Sequence, residues 1–222
     1  MLQRLSILDM KEELVVDTDY DKGFYDQITQ GSIDSAKEIV PWMIRYALPA
    51  NVHTLVDVGC GRGVWGYEFQ ERGFEVLGID GPYVTDPVIP FQPHDLREPL
   101  VLDKKYDVAL CLEVAEHLPE QYADTLIKSL VDASEIIIFS AAIPHQTGHG
   151  HVNCQWPSYW AEKFSTYGYI AEDYREAFWS NPNVEPWYAQ NILLFRYDGE
   201  PPLMHDYGML DVVHPTIHGW GR

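Results

Sequence analysis

The most constraining feature of the sequence is a series of apolar runs of strand length that alternate with helical patterns from residue 54 onward. The runs are TLVDV, FEVLGID, YDVALCLEV, SEIIIFSAA and NILLFRY. They lack the polar alternation of a strand with one face in water, so both faces should be buried. Between them lie VWGYEFQER, EQYADTLIKSLV and PSYWAEKFSTYG, which have helical spacing. The pattern predicts a doubly wound α/β fold with a mostly parallel sheet and helices on both faces.

A further helix is expected ahead of the first strand. Ser35 and Glu38 match a capping box, in which the serine begins a helix and the glutamate reaches back to it. Apolar residues follow at helical spacing, and Pro41 should kink or shorten the helix.

Length and charge limit the classes of protein that fit. A chain of 222 residues is about one and a half times a typical domain, which favours one large domain with appendages. The net charge is −19, from 34 acidic and 15 basic residues, and the sequence contains no basic patch. Such a surface repels phosphate groups, so nucleic acid and acidic membranes are not expected partners.

The cysteines and the first residues indicate the compartment. The 3 cysteines form no C-x-x-C pair, which argues against a disulfide framework and a zinc ribbon. The start of the chain has no apolar run typical of a signal peptide, and no stretch approaches the length of a membrane span. A reducing, cytoplasmic location is therefore expected.

A glycine-rich loop follows the first strand, in the sequence DVGCGRGVWG. Glycines let the chain turn tightly and approach a ligand, and the helix that follows offers backbone N–H groups. Gly61, Gly63 and Gly66 match the dinucleotide pattern G-x-G-x-x-G, which leaves a nicotinamide-dependent oxidoreductase open. The glycine directly after the strand is Gly59, however, and the sixth position counted from it is Val64. What remains is an acidic residue, Asp57, followed by alternate glycines.

This pattern resembles the first motif of class I S-adenosylmethionine-dependent methyltransferases. The resemblance implies a Rossmann-like fold with a mostly parallel seven-stranded sheet, and S-adenosylmethionine as cofactor. Asp57 would organise the cationic ligand, Asp80 at the end of the second strand would accept the ribose hydroxyls, and Asp95 would accept from the adenine amino group. The cofactor-binding residues it implies are Asp57, Gly59, Cys60, Gly61, Gly63, Asp80, Gly81, Asp95, Leu96 and Glu113.

The resemblance extends to about residues 24–196 through CLEVAEHLP, FSAAIP, GHVNCQWPSYW and WYAQNILLF. These motifs are similar to a bacterial group of the same family that acts on small molecules and carries G-H-V-N-E-Q-W-P-S-Y-W. They indicate the class of enzyme and not the acceptor; we expect a small-molecule or glycan-linked acceptor, methylated at oxygen, and a homodimer stays open. The expected organisation is an N-terminal helical lid at 1–50, a methyltransferase domain at 51–200 and a tail at 201–222.

The segment HQTGHGHVNC contains three histidines and Cys154. A zinc site of His145, His149, His151 and Cys154 would have only one sulfur ligand, whereas structural sites of this kind usually have at least two, so no metal is predicted. His151 lies on a position shared with the resembling group, where it would act as acceptor-site base or hydrogen-bond donor. A structural role for its ring stays open.

Two further residues of the acceptor side come from the fourth strand motif. Glu116 and His117 are candidate catalytic residues, with the alternative that they only begin a helix. Cys154 stands where the resembling group has glutamate, which keeps open a non-catalytic cofactor-binding or scaffold protein.

Overall fold

The computed structural model describes residues 22–199 and 207–217, with side chains from residue 30 onward. The first 21 residues of the expected lid and much of the expected tail at 201–222 lie outside the described residues. The strands are β1 (Thr54–Val58), β2 (Glu75–Asp80), β3 (Phe91–Pro93), β4 (Val108–Leu112), β5 (Ile136–Ser140), β6 (Tyr169–Glu172) and β7 (Leu193–Tyr197). The helices are α1 (Lys22–Tyr46), α2 (Val64–Gln70), α3 (Ala123–Ala133), α4 (Pro157–Ser165) and α5 (Pro186–Asn191).

The strands form one seven-stranded sheet in the order β3-β2-β1-β4-β5-β7-β6. The first five of these are mutually parallel, and β7 is antiparallel to both of its neighbours. The predicted fold class is confirmed. The strand order reverses between β1 and β4, which makes the carboxyl edge at this point the expected ligand-binding crevice.

Both faces of the sheet are covered, as the apolar strands predicted. Successive side chains of a strand point to opposite faces, so Leu55 joins one core cluster with α1 and α2, and Val56 joins the other with α3 and α4. On the second face the rings of Phe164 and Phe195 stack with their centroids 4.1 Å apart. These two layers hold the strand ends in fixed positions.

The capping-box prediction at Ser35 is wrong. α1 begins at Lys22 and Ser35 lies inside it, where its Oγ accepts a hydrogen bond from the backbone N–H of Glu185 at 2.9 Å. Glu38 accepts a hydrogen bond from the Asn181 side chain instead of reaching back to the helix start. A serine and a glutamate three residues apart share one helix face, so the same pattern also suits a helix that docks on another segment.

Pro41 does not end α1, which continues to Tyr46. The second half of α1 is part of the core, with Ile39 and Met43 each 1% exposed. Within the described part of the chain, no helix combines the length and the apolar character that a bilayer crossing requires.

Candidate active site

The loop between β1 and α2 is shaped by three glycines. Gly59, Gly61 and Gly63 have φ values of 78°, 52° and 88°, in the left-handed region that favours glycine. A Cβ on Gly59 would lie 2.3 Å from a methyl group of Val114, so this glycine allows the close packing of β1 on the residues after β4. A Cβ on Gly61 would meet no atom within 4 Å, so the middle of the loop faces open space.

Asp57 binds the first turn of the helix that follows this loop. Its side chain is buried, and Oδ2 accepts a hydrogen bond from the backbone N–H of Gly66 at 3.1 Å. Burial raises the pKa of Asp57 to about 7, against the effect of the Gly66 hydrogen bond, and the charge of Asp80 adds to the increase. Asp57 therefore links the strand end to the first turn of α2.

Asp80, at the end of β2, binds the glycine loop directly. Its Oδ2 accepts from the backbone N–H of Gly61 at 2.7 Å, and its Oδ1 accepts from the backbone N–H of Gly81 at 2.6 Å. The hydroxyl of Tyr83 also donates to Oδ1, at 2.6 Å. A Cβ on Gly81 would lie 2.0 Å from the Tyr83 ring, so the absence of a side chain at Gly81 admits that ring. Sequence reasoning missed Tyr83, since no local pattern marks it.

The remaining predicted cofactor residues lie around the same edge. Register pairs Asp80 with Pro93, which places Asp95 and Leu96 just beyond the end of β3. The carboxylate of Asp95 forms an ion pair with Arg97 at 2.6 Å, and hydrogen bonds from Arg97 lower its pKa. Leu96 packs partly buried against the second core cluster. Cys60 is partly buried in the loop, and burial raises the pKa of its thiol.

Glu113 follows β4 with a φ of 53°, unusual for a residue with a side chain. Its carboxylate accepts from Asn191 at 3.1 Å and from the amide of Gln146 at 3.3 Å. Burial raises its pKa to about 7 despite these hydrogen bonds. Glu113 is thus held by α5 and by the loop after β5, and sequence reasoning assigned no role to either amide.

Glu116 and His117 lie in a short 3-10 helix, Ala115–His117, directly after this bend. Glu116 is fully buried, and neither of its carboxylate oxygens has a hydrogen-bond partner. Burial and the neighbouring Glu113 raise the pKa of Glu116 well above its ordinary value. His117 is exposed at the surface, although the surrounding protein and the nearby His151 lower its pKa.

The loop after β5 returns to this helix and carries His151. The backbone N–H groups of Val152 and Asn153 both donate to the carbonyl of Glu116, at 2.8 and 3.0 Å. The rings of His117 and His151 meet edge to face with centroids 5.0 Å apart. Burial lowers the pKa of His151, whose Nδ1 lies 3.3 Å from the carbonyl oxygen of Gln146. The structure therefore brings the three predicted catalytic residues together.

The alternative four-ligand set is not brought together. Across residues 22–199 and 207–217, three or more metal-binding side chains converge at one place only, namely Glu116, His117 and His151. The Sγ atom of Cys154 lies 3.7 Å from Nδ1 of His151, whereas His145 and His149 are exposed elsewhere on the loop.

Comparison with known proteins agrees with this geometry. The chain belongs to the family described as "Methyltransferase domain", whose sequence profile matches residues 36–173. Among curated proteins it is 27% identical over 143 residues to the ubiquinone biosynthesis O-methyltransferase of Rickettsia conorii, covering 58% of this chain and 50% of that protein. The Rickettsia typhi protein of the same name is 38% identical over 74 residues, which cover 29% of this chain and 30% of the relative. The chain thus spans half or less of the length of these two relatives.

Solved structures share the fold at low sequence identity. Streptomyces venezuelae DesVI superposes with a TM-score of 0.59 at 12% identity, covering 78% of this chain and 95% of that one. Magnesium protoporphyrin IX methyltransferase from Synechocystis, solved with bound SAH, gives a TM-score of 0.56 at 17% identity and covers 78% of this chain and 88% of that one. The nicotinamide-dependent alternative finds no support in these relatives.

Proposed function

We propose that the protein is an S-adenosylmethionine-dependent methyltransferase that modifies a small molecule or a glycan-linked intermediate at an oxygen atom. The main support is the arrangement at the carboxyl edge of the sheet. There the carboxylate of Asp80 binds the glycine loop, and the space next to Gly61 is open. The names of the curated relatives, O-methyltransferases of ubiquinone biosynthesis, support oxygen as the acceptor atom.

The residues present fit the cofactor. Asp80 offers two buried carboxylate oxygens at the edge, and a vicinal diol can donate to such a pair. The open space over Gly61 admits a ligand against the backbone. S-adenosylmethionine, when bound, supplies a methyl group already activated on a sulfonium sulfur. Asp95 and Leu96 beyond β3 are the proposed contacts for the adenine.

The acceptor side of the proposal rests on Glu116, His117 and His151. These residues follow β4 and β5, the two strands on the far side of the switch point from Asp80. Their task is to orient the acceptor hydroxyl and help to remove its proton. Alignment of two reactants can be worth roughly 7–11 kcal/mol at the upper end, and assistance to proton transfer typically contributes about 10²- to 10⁴-fold in rate.

The N-terminal segment at 1–50 combines the packed helix α1 with residues 1–21. Its closure over the cofactor as a lid stays a prediction, as do the tail at 201–222 and a homodimer.

Cofactor binding is tested by thermal unfolding with S-adenosylhomocysteine and, separately, with NAD⁺. We expect S-adenosylhomocysteine to raise the melting temperature, because a ligand at about 100 times its Kd stabilises the folded state by about 2.7 kcal/mol. Asp80→Asn should remove most of this increase. The matched control is Asp86→Asn, an exposed carboxylate in the connection between β2 and β3 that should keep it. A shift with NAD⁺ alone, or an equal shift in Asp80→Asn, would contradict the proposal.

A further inference from the structure

Three side chains that commonly bind metals converge beside the proposed acceptor position. Glu116, His117 and His151 each offer one ligand atom, and these atoms all lie within 4.8 Å of one another. They come from two segments that follow neighbouring parallel strands, β4 and β5. The hydrogen bonds from Val152 and Asn153 to the carbonyl of Glu116 hold the two segments together. The cluster is therefore built by tertiary structure and is not a chance grouping of exposed side chains.

Glu116 is the observation that points to a ligand. Its side chain is 0% exposed, and neither oxygen has a hydrogen-bond partner. Leaving a buried polar group unpaired is unfavourable, and such groups in folded proteins normally have a partner. The backbone of Ala142 and the carboxyl of Glu113 lie near these oxygens without forming a hydrogen bond of normal geometry, whereas a cation between Glu116 and the two imidazoles would bind them.

His151 is positioned as metal-binding histidines commonly are. The carbonyl of Gln146 can only accept, so the ring donates through Nδ1, 3.3 Å away, and Nε2 keeps its lone pair. Metal-ligating histidines commonly donate their second N–H to a backbone carbonyl in this way, which fixes the ring orientation. Gly148 makes room for the ring, because a Cβ there would lie 2.1 Å from Nε2 of His151.

We propose that Glu116, His117 and His151 hold one divalent cation of the borderline class, such as Zn²⁺, Co²⁺ or Fe²⁺. Two imidazoles and one carboxylate suit these ions better than Mg²⁺ or Ca²⁺, which prefer oxygen ligands. Ligand atoms about 2.1 Å from a zinc ion lie about 3.4 Å apart, so the three groups draw together by about an ångström. The exposed His117 has the freedom to make this movement. Three protein ligands leave a position open for a substrate oxygen.

The role of the cation rests on the proposed function, whereas its binding does not. An acceptor hydroxyl coordinated to the cation loses its proton more readily, since a bound divalent metal lowers the pKa of a coordinated oxygen. The proton passes to solvent. An electron pair of the oxygen then forms the bond to the methyl carbon as the carbon–sulfur bond breaks, and that bonding pair passes to sulfur, which becomes neutral. In this arrangement the two histidines act as ligands and not as the base.

The test uses the full chain after treatment with a chelator, titrated with Co²⁺ and with Zn²⁺ by calorimetry. We expect one equivalent to bind, and Co²⁺ to give the visible absorption of a site with few ligands, without the intense near-ultraviolet band of a thiolate ligand. Glu116→Gln and His117→Ala should each weaken binding by at least about tenfold, by analogy with the loss seen for groups that only support ligands. His117 is exposed, so its removal leaves folding intact. The matched control is His145→Asn, which keeps a residue tolerant of its φ of 71° and should bind normally.

Three outcomes overturn the proposal. The first is that the wild type binds neither ion. The second is that Glu116→Gln and His117→Ala bind as tightly as the wild type does. The third is a thiolate band that disappears in Cys154→Ser. Thermal shifts with S-adenosylhomocysteine, measured on the same samples, keep the two proposals separate. Cation binding without a shift supports the metal site and contradicts the proposed function, and a shift without cation binding does the reverse.

Discussion

At the scale of single residues, three hydrogen bonds hold the carboxylate of Asp80, which we propose binds the ribose of the cofactor. Oδ2 accepts from Gly61, while Oδ1 accepts from both Gly81 and the hydroxyl of Tyr83. The Tyr83 residue is 64% exposed, so little packing holds its ring. In the proposed binding mode a ribose hydroxyl would donate to the oxygen of Asp80 that accepts from Tyr83. Ligand binding and the Tyr83 hydrogen bond would therefore compete for that oxygen.

This competition predicts that Tyr83→Phe binds S-adenosylhomocysteine more tightly than the wild type. A hydrogen bond to a charged group contributes about 1.5–3 kcal/mol, and a change of about 1.4 kcal/mol corresponds to tenfold in Kd. We expect a decrease in Kd of several-fold to tenfold by calorimetry. Tyr46→Phe, at an exposed tyrosine at the end of α1, is the control and should bind as the wild type does. Weaker binding by Tyr83→Phe would mean that the hydroxyl helps to hold the ligand.

At the scale of elements, the sequence predicted what depends on local pattern. The apolar runs located β1, β2, β4, β5 and β7; the glycine loop then marked Asp57, and the end of the second run marked Asp80. β3 and α5 have 3 and 6 residues, too few for a periodic signal. The amides of Gln146 and Asn191 reach Glu113 across 33 and 78 residues of chain, and no local pattern reports such contacts.

The loop between β5 and α4 illustrates the same limit for the site. His151 was recognisable from its motif, but its meeting with Glu116 depends on backbone hydrogen bonds that bring Val152 and Asn153 back to the residues after β4. Gly148 is equally specific to this path, since its bare Cα leaves the space in which the His151 ring lies. The loop therefore positions the histidine through its backbone.

We predict that Gly148→Ala weakens Co²⁺ binding by about tenfold while changing the melting temperature little. The new Cβ would lie 2.1 Å from Nε2 of His151, so the ring must move. We expect displacing this ligand to reduce metal affinity about as much as removing a group that orients a ligand. Gly148 is itself exposed, so the substitution should leave the fold intact. Calorimetry and thermal unfolding measure the two effects. Thr147→Ala, at the adjacent exposed residue, should change neither. Unchanged affinity in Gly148→Ala would show that the ring position is not required.

At the scale of the whole molecule, three buried carboxyl groups lie near the carboxyl edge of the sheet, where we propose the site. The chain carries a net charge of −19. Three of its carboxyl groups are buried near this edge, namely those of Asp57, Glu113 and Glu116. Burial raises the pKa of Asp57 and of Glu113 to about 7. Ionising these carboxyl groups in the folded protein is therefore unfavourable, and a cationic ligand nearby would make it less so.

This arrangement predicts a specific dependence of stability on pH in the absence of ligands. Asp57 has a pKa of 3.8 as a free group and about 7 in the folded protein, so the folded state binds more protons between these values. The contribution of Asp57 to the free energy of unfolding is therefore largest below about pH 4, and it decreases as the pH rises to about 7. His117 and His151, whose pKa values are lowered, act in the opposite direction up to about pH 6.5.

Asp57→Asn isolates the carboxylate from these opposing groups. The amide keeps an oxygen that accepts from Gly66 and does not titrate, so the free energy of unfolding should fall less steeply with pH in the variant than in the wild type. Between pH 4.5 and 7.5 the difference should reach a few kcal/mol, since each unit of pKa corresponds to about 1.4 kcal/mol. Urea unfolding at several pH values measures it, with the exposed Asp86→Asn as control. Parallel curves for Asp57→Asn and the wild type would mean that Asp57 is already ionised in the folded protein at low pH.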